Sequence, residues 1–250
     1  MTKALRRQLI ALSVSMMTLT GVSHAAEITY PKGVVELFTS QGCSSCPAAD
    51  KVMGKFAKED DILGLSWHVD YWDYLGWKDI FASRSNTERQ YAYAHALGER
   101  QVYTPQAIIN GRTHEVGSKE GRVRSLVKSF KDTNDGLTVP VNVRVEAENV
   151  KVEVEKGSPS KNVTLWMIFF DEANNVEILR GENTGRTINY HNVVKGIQAV
   201  GMVSADGLKI EYPLAEMRKH GFDGCALILQ ASDGKGNPGP ILGATVISDI

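Results

Sequence analysis

Val35-Glu36-Leu37-Phe38-Thr39-Ser40-Gln41-Gly42-Cys43-Ser44-Ser45-Cys46-Pro47 is the stretch whose reading decides the fold of this chain. Residues 34–38 form a short, mostly apolar run, of the kind that makes a strand buried in a parallel sheet. Residues 39–42 read as a turn, with Gly42 relaxing the backbone just before Cys43. Pro47 suits the first turn of a helix, where a missing N–H costs little. Ala49, Val52, Met53 and Phe56 then recur at helical spacing. Cys43 therefore stands where a strand meets a helix N-terminus, and Cys46 follows one turn further in.

Downstream, 62–69 reads as the next strand, ending at Asp70, and the connection after it is rich in aromatics: Tyr71, Trp72, Tyr74, Trp77 and Phe81. Ser85 with Glu88 makes a capping box for a helix running to Leu97, and Gly98 supplies its stop. Thr104-Pro105 leads into a strand over 106–109, Asn110-Gly111 is a hairpin turn, and the chain returns over 113–116. Ser118 can cap a helix that carries Val123, Leu126, Val127 and Phe130 on one face.

Residues 131–140 are polar and turn-rich, and beyond them the period changes. Val141, Val143 and Val145 alternate with polar residues, as do Val150, Val152 and Val154. An apolar run over 163–170 follows, then strand candidates at 188–194, 208–212, 226–230 and 241–247. Short strands separated by Gly, Asn, Asp and Pro predict a β-sandwich-like unit. The expected organisation is an α/β unit over 26–134 and an all-β unit over 135–250.

Ahead of both lies a segment of a different kind. Lys3, Arg6 and Arg7 form a basic start, the run 9–19 is apolar, and Ser23-His24-Ala25-Ala26 offers a small-residue cleavage site. These are the parts of a secretory signal peptide over 1–25, and the apolar run is shorter than the roughly 20 residues a membrane span needs. Leu5 stands where a twin-arginine signal usually has Ser or Thr, which favours the general secretory route. A periplasmic or secreted protein, free of the membrane once cleaved, is expected.

The 250 residues are 42% hydrophobic and 23% charged, with a formal net charge of −1. That balance gives no reason to expect a nucleic-acid or anionic-membrane partner. Three cysteines in an oxidising compartment allow one disulfide and leave one thiol over. Cys43 and Cys46 have the C-x-x-C spacing, whereas Cys225 lies among apolar residues and reads as a small buried hydrophobe. Neither a second C-x-x-C nor a His pair at finger spacing is present to suggest structural zinc.

The order of strand, Cys-x-x-Cys, helix, strand, helix, x-Pro strand, hairpin and helix resembles thioredoxin and glutaredoxin. The stretch 35–46 resembles glutaredoxins in its spacing, and Ala94-His95-Ala96-Leu97-Gly98 through Thr104-Pro105 to Gly111 resembles the thioredoxin segment that contains the cis-proline. The chain also resembles a family of exported bacterial proteins carrying a domain of unknown function. The matching blocks there are 35–47, His68-Val69-Asp70-Tyr71-Trp72-Asp73-Tyr74-Leu75-Gly76-Trp77, 102–111 and Arg180-Gly181-Glu182-Asn183-Thr184-Gly185-Arg186. The resemblance implies a thioredoxin-like α/β domain followed by the all-β one. It also implies that Pro105 is cis and faces the cysteines, with Thr104 offering hydrogen bonds to a bound substrate.

The chemistry expected of the pair follows from its placement. A thiolate is the nucleophile in disulfide exchange, and a helix N-terminus stabilises it through free N–H groups and the macrodipole. Cys43 is thus the expected attacking thiol, exposed and of lowered pKa, and Cys46 the resolving one. Several accessory residues carry two readings each. Glu36 is a proton relay beneath the loop or a solvated strand carboxylate. Asp70 and Trp72 follow a strand C-terminus, where open α/β sheets bind ligands, though the aromatics there can simply cover the core. Glu182, Asn183 and Arg186 reach the redox site from the second unit or cap a turn, and His68 reads as a satisfied core histidine.

The function these features favour is an exported thiol–disulfide oxidoreductase acting on protein or small-molecule thiols and disulfides, with no cofactor or metal. Two alternatives stay open: a copper-handling protein with Cys43 and Cys46 as soft ligands, and an interaction module whose disulfide only staples a loop.

Overall fold

The computed structural model describes residues 26–133, 135–146, 148–157, 162–219 and 221–248. The expected signal segment, 1–25, lies outside them. The chain begins with β1 (Glu27–Thr29), β2 (Gly33–Thr39), α1 (Pro47–Phe56) and β3 (Ile62–His68). Next come α2 (Arg84–Leu97), the hairpin β4 (Gln106–Ile109) and β5 (Thr113–Val116), and α3 (Glu120–Asp132). The second half holds β6 (Asn142–Glu146), β7 (Asn149–Val154), β8 (Val163–Glu177), β9 (Thr187–Met202), β10 (Leu208–Pro213), α4 (Leu214–Lys219), β11 (Gly224–Ser232) and β12 (Pro238–Ser248). The fold is predominantly β, a mixed sheet with few helices.

β2 is the centre of the first half. It runs parallel to β3, with Thr39 opposite His68, and antiparallel to β4, with Val35 opposite Ile109. Because alternate side chains of a strand point to opposite faces, β2 divides its residues. Val35 and Leu37 pack with Ala49, Val52, Met53 and Phe56 of α1 and Val123 and Val127 of α3. Val34 and Phe38 point the other way, into a core with Trp67 and with Tyr93 of α2. Helix α1 thus lies under one face of the sheet and α2 over the other.

The two halves, expected as an α/β unit and an all-β unit, share one sheet. A single nine-stranded sheet runs β1-β12-β11-β8-β9-β3-β2-β4-β5. Position 134/135 does not separate it, because Ser66 of β3 pairs with Val193 of β9 and β1 pairs with β12. The physical reason lies in β3, which is buried along its whole length. Its outer edge must find hydrogen bonds away from water. β9 supplies them: Ser66 Oγ donates to His191 O at 2.7 Å, and Asn192 Nδ2 donates to Gly64 O at 2.8 Å. The polar stretch 131–140 is likewise anchored at its end, where Val139 N donates to Leu242 O at 2.8 Å. Only the small sheet β10-β7-β6 gives a sandwich-like layer, packing Val143, Val150 and Val152 against Leu165, Met167 and Leu227.

Local expectations shift in places. The N-cap of α2 is Ser83, whose Oγ accepts from Asn86 N at 3.2 Å, rather than Ser85. Helix α3 starts after Lys119 with no side-chain cap, so Ser118 does not cap it. β8 and β9 run well past the apolar segments that announced them, because their paired ends expose alternate residues to solvent. Apolar runs mark only where a strand is covered on both faces. Gly98 closes α2 in the left-handed region (φ 73°), and Asn110-Gly111 turns the β4–β5 hairpin with both φ angles positive.

Candidate redox site

Cys43 and Cys46 are joined by a disulfide in the turn between β2 and α1. The turn is closed by backbone hydrogen bonds from Cys43 N to Ser40 O and from Cys46 N to Cys43 O, each 3.2 Å. Cys46 is the N-cap residue of α1, with Pro47 at the helix start. Both sulfur-bearing residues are buried, Cys43 at 1% exposure and Cys46 at 0%. The exposed Cys43 thiol expected from sequence is therefore absent in the oxidised protein, because neighbouring loops cover it. A Cβ on Gly42 would stand 3.1 Å from both Cβ and O of Trp72, so a side chain there would press the 70s loop outward by a few tenths of an ångström.

Trp72, Thr104 and Cys43 form a chain. The indole Nε1 of Trp72 donates to Thr104 Oγ1 at 2.7 Å, and Thr104 Oγ1 donates to Cys43 Sγ at 3.2 Å. The Thr104–Pro105 peptide bond is cis, as the resemblance implied. Ser45 Oγ lies 3.4 Å from the same sulfur. The indole fixes the threonine hydroxyl as a donor toward Cys43, a geometry that would stabilise a thiolate at that sulfur.

Asn183 reaches the same turn from the second half. It is fully buried, and its Nδ2 donates to Gln41 O and Cys43 O, both at 2.9 Å. Arg186 Nη1 donates to Asn183 Oδ1 at 3.1 Å, orienting the amide, whereas Glu182 is exposed. Gly181, at φ 77°, lets this loop pack on Trp77. Asp70 stays out of the site: its Oδ1 accepts from Thr87 Oγ1 at 2.6 Å, tying β3 to α2.

Glu36 is not the solvated strand carboxylate of one sequence reading but a buried, paired one. Strand alternation points it to the α2 face, fully buried, where it accepts from Arg89 Nε at 2.8 Å and from the Tyr93 hydroxyl. Gln230 of β11 closes the group by donating to Tyr93 Oη at 2.8 Å. Burial pushes the Tyr93 hydroxyl far up, and Glu36 holds the Arg89 guanidinium charged against the cost of burial.

The residue that does lie beneath the redox turn is Asp50, which the sequence reading passed over. Its backbone N donates to Cys46 O at 3.1 Å, one helical turn on. Its carboxyl, fully buried, accepts from Thr39 Oγ1 at 2.8 Å through Oδ1, while Oδ2 has no hydrogen-bond partner in the protein. Burial raises it to about 7, more than the charge of His68 and the Thr39 hydrogen bond lower it. The signal for it was its position: Asp50 falls on the apolar stripe of Cys46, Ala49 and Met53, where a solvated acid has no place.

His68 and Asp79 complete this polar floor. Nδ1 of His68 lies 2.7 Å from Asp79 Oδ2, which also accepts from Gln41 N at 2.8 Å. Burial works to raise Asp79, but the His68 charge and the hydrogen bonds to His68, Gln41 and Phe81 outweigh it and hold the carboxyl low. Nε2 of His68 and the hydroxyl of Tyr190 remain without partners, so the histidine is only half satisfied. Cys225, by contrast, is inert: burial pushes its thiol far up, among Leu227 and Leu229. Among the described residues no group of three or more His, Cys, Asp or Glu side chains is placed to hold a metal ion. No described helix is long and apolar enough to cross a membrane.

A family model described as protein of unknown function (DUF1223) matches residues 34–230, taking in both the Cys-x-x-Cys turn and the Asn183 loop. The chain belongs to that family. A probable thioredoxin of Archaeoglobus fulgidus is 31% identical over 99 residues, which are 39% of this chain and 89% of the archaeal one. A crystal structure of a protein from Agrobacterium tumefaciens superposes with a TM-score of 0.78 at 38% identity, covering 88% of this chain and 95% of the other. HBP35 of Porphyromonas gingivalis matches at a TM-score of 0.58 and 16% identity, over 88% of this chain and 76% of that one, a likeness of fold alone. The thioredoxin match accounts for less than half of the chain, whereas the family also spans the loop that carries Asn183 and the strand that carries Tyr190.

Proposed function

We propose that this protein is an exported thiol–disulfide oxidoreductase whose working centre is Cys43 and Cys46, set in a thioredoxin-like unit (26–134) to which the β-rich second half is joined. The observation that carries this reading is the Thr104 hydroxyl aimed at Cys43 Sγ by the Trp72 indole. It gives one sulfur of the pair a donor suited to a thiolate. The thioredoxin resemblance and the C-x-x-C pair support the same chemistry.

In the reducing direction the Cys43 thiolate attacks one sulfur of a client disulfide and expels the other as a client thiolate. Cys46 then attacks Cys43 Sγ, releasing the second client thiolate and re-forming the cystine. Two electrons pass to the client, and the protons of the two cysteines go to the departing thiolates. Asp50, buried one helical turn from Cys46 and raised to about 7, is the titratable group suited to exchange the Cys46 proton in this step and in the reverse one. Thr104 and Pro105 form the shelf beside which the client disulfide lies. Asn183 holds the carbonyls of the turn so that the two sulfurs stay in register.

The burial of both cysteines favours a second reading, a static disulfide that staples the turn. Equilibration in thiol–disulfide buffers, followed by acid quench, alkylation and mass analysis, separates the two. A redox centre titrates reversibly as a two-electron couple in the native protein. A staple resists reduction below about −300 mV until denaturant is added, and that outcome would remove the enzymatic reading. For export, N-terminal sequencing of the periplasmic or secreted protein should find a mature chain starting at Ala26.

A further inference from the structure

Beside the disulfide an open groove of about 800 Å³ runs between α1 and the start of β9. It begins at Pro47, immediately after Cys46, and its lining includes Lys51, Lys55, Lys58, Arg186, His191 and Asp50. The three lysines fall at i, i+4 and i+7 of α1 and its C-terminal continuation, so they form one stripe on a single helical face. Arg186 faces them from the other wall, on the loop whose Asn183 holds the redox turn. Gly54 allows the wall to close up: a Cβ there would stand 2.8 Å from His191 Cδ2.

The charge of this groove contrasts with that of the whole molecule. The chain carries a formal −1, yet here four permanent cations line one groove with a single carboxyl, Asp50, and that one is buried beneath the floor. Lys55 is shared with Glu120, at 2.6 Å. Lys51 and Lys58 are exposed. A patch of one sign beside a reactive centre raises the local concentration of oppositely charged reactants and speeds their encounter.

We propose that the groove is a subsite for the client, and that it takes an extended acidic polypeptide segment adjoining the client's disulfide. This rests on the thiol–disulfide reading of Cys43 and Cys46. Length argues for a polypeptide. From Lys51 to Lys58 the helix rises about 10 Å, the span of about three residues of extended chain. Alternate side chains of such a segment face the same wall, so two Asp or Glu residues can reach the three-lysine stripe while the neighbouring cysteine lies at the Pro47 end. Arg186, with its planar fork, provides a bidentate site for one carboxylate.

The test uses three symmetric peptide disulfides, each a dimer through one cysteine, whose flanking residues are glutamate, glutamine or lysine. The protein, reduced and freed of reductant, is mixed with each. Released peptide thiol is followed as the Cys43–Cys46 disulfide forms. At low ionic strength the second-order rate constant for the glutamate peptide should exceed that for the lysine peptide by at least about tenfold, the gap closing as salt is added. The double variant Lys51→Glu/Lys58→Glu should reverse the order. Lys209→Glu, a reversal on the distant β10 strand, should keep the wild-type order. Equal rates for the three peptides, or an order unmoved by the double variant, would overturn the groove proposal while leaving the redox centre standing. If the reduced protein oxidises with none of the peptides, nor with the small neutral bis(2-hydroxyethyl) disulfide, the redox reading falls and takes the groove with it.

Discussion

Glu36 and Asp50 are both fully buried carboxyls within a few residues of the same disulfide, and the structure treats them in opposite ways. Glu36 hangs from β2 on the α2 face, where a guanidinium, a phenol and, through them, Gln230 satisfy it. Asp50 hangs from α1 on the other face with one hydroxyl donor and an unpartnered oxygen. A buried charge that is paired holds a fold in one arrangement, and removing its partner is expensive. A buried acid left half-paired has its pKa pushed toward neutrality, where it can exchange protons with its surroundings. The pairing of Glu36 makes it a structural rivet between the two halves, since Gln230 comes from β11. The incomplete pairing of Asp50 leaves one buried carboxyl oxygen without a partner, one helical turn from Cys46.

The largest effect should come from breaking the rivet. Arg89→Met leaves Glu36 buried without its cation and should cost about 3–5 kcal/mol in denaturant unfolding. Adding Glu36→Gln to that variant should recover much of the loss, because no charge is then stranded. An additive double variant would contradict the pairing. Asp50 should behave in the opposite sense. Its folded pKa of about 7 lies above the unfolded value of 3.8, so the folded state holds the proton more tightly across that interval. The stability linked to it is fully present below about pH 4 and is lost as pH rises through 7. Asp50→Asn should therefore flatten the pH profile over that window, and above it should raise stability by up to about 4 kcal/mol. Unfolding curves at pH 4.5 and pH 8.5 check it.

Smaller effects test the contacts around the sulfurs. Asn183→Ala removes two donors to buried carbonyls and should cost about 1–3 kcal/mol. Disulfide re-formation in the reduced protein should slow as the turn loosens. Trp72→Phe keeps the packing on Gly42 but frees the Thr104 hydroxyl from its acceptor role. It should cost about 1 kcal/mol or less and raise the pKa of the reduced Cys43 thiol, read by the pH dependence of alkylation.

The difference between the two acids also marks what sequence can and cannot show. The turn around Cys43 and Cys46, the helix after it, the x-Pro strand and the Asn110-Gly111 hairpin were legible because each is written in neighbouring residues. Strand period even determines that Glu36 and Thr39 point to opposite faces. What it cannot give is the identity of the group waiting there. Arg89 stands 53 residues from Glu36, and Gln230 comes from a strand expected in another domain. The apolar stripe of α1 marks Asp50 as out of place in solvent, but does not show what surrounds it. Asp50 is buried only because β9 and the Asp79 loop close over α1. The sheet that joins the two halves was illegible for the same reason, since the contact of β3 with β9 links segments about 125 residues apart.

The central claim is that Cys43 is a nucleophile resolved by Cys46. It is tested most directly by trapping mixed disulfides in single-cysteine variants, resolved on non-reducing gels after a thiol-blocking quench. Cys46→Ala should accumulate adducts with client disulfides through Cys43. Cys43→Ala should accumulate none, and Cys225→Ala should match the parent. Equal trapping in Cys43→Ala and Cys46→Ala would contradict the assignment of the nucleophile, and no trapping in either would leave the disulfide as a staple.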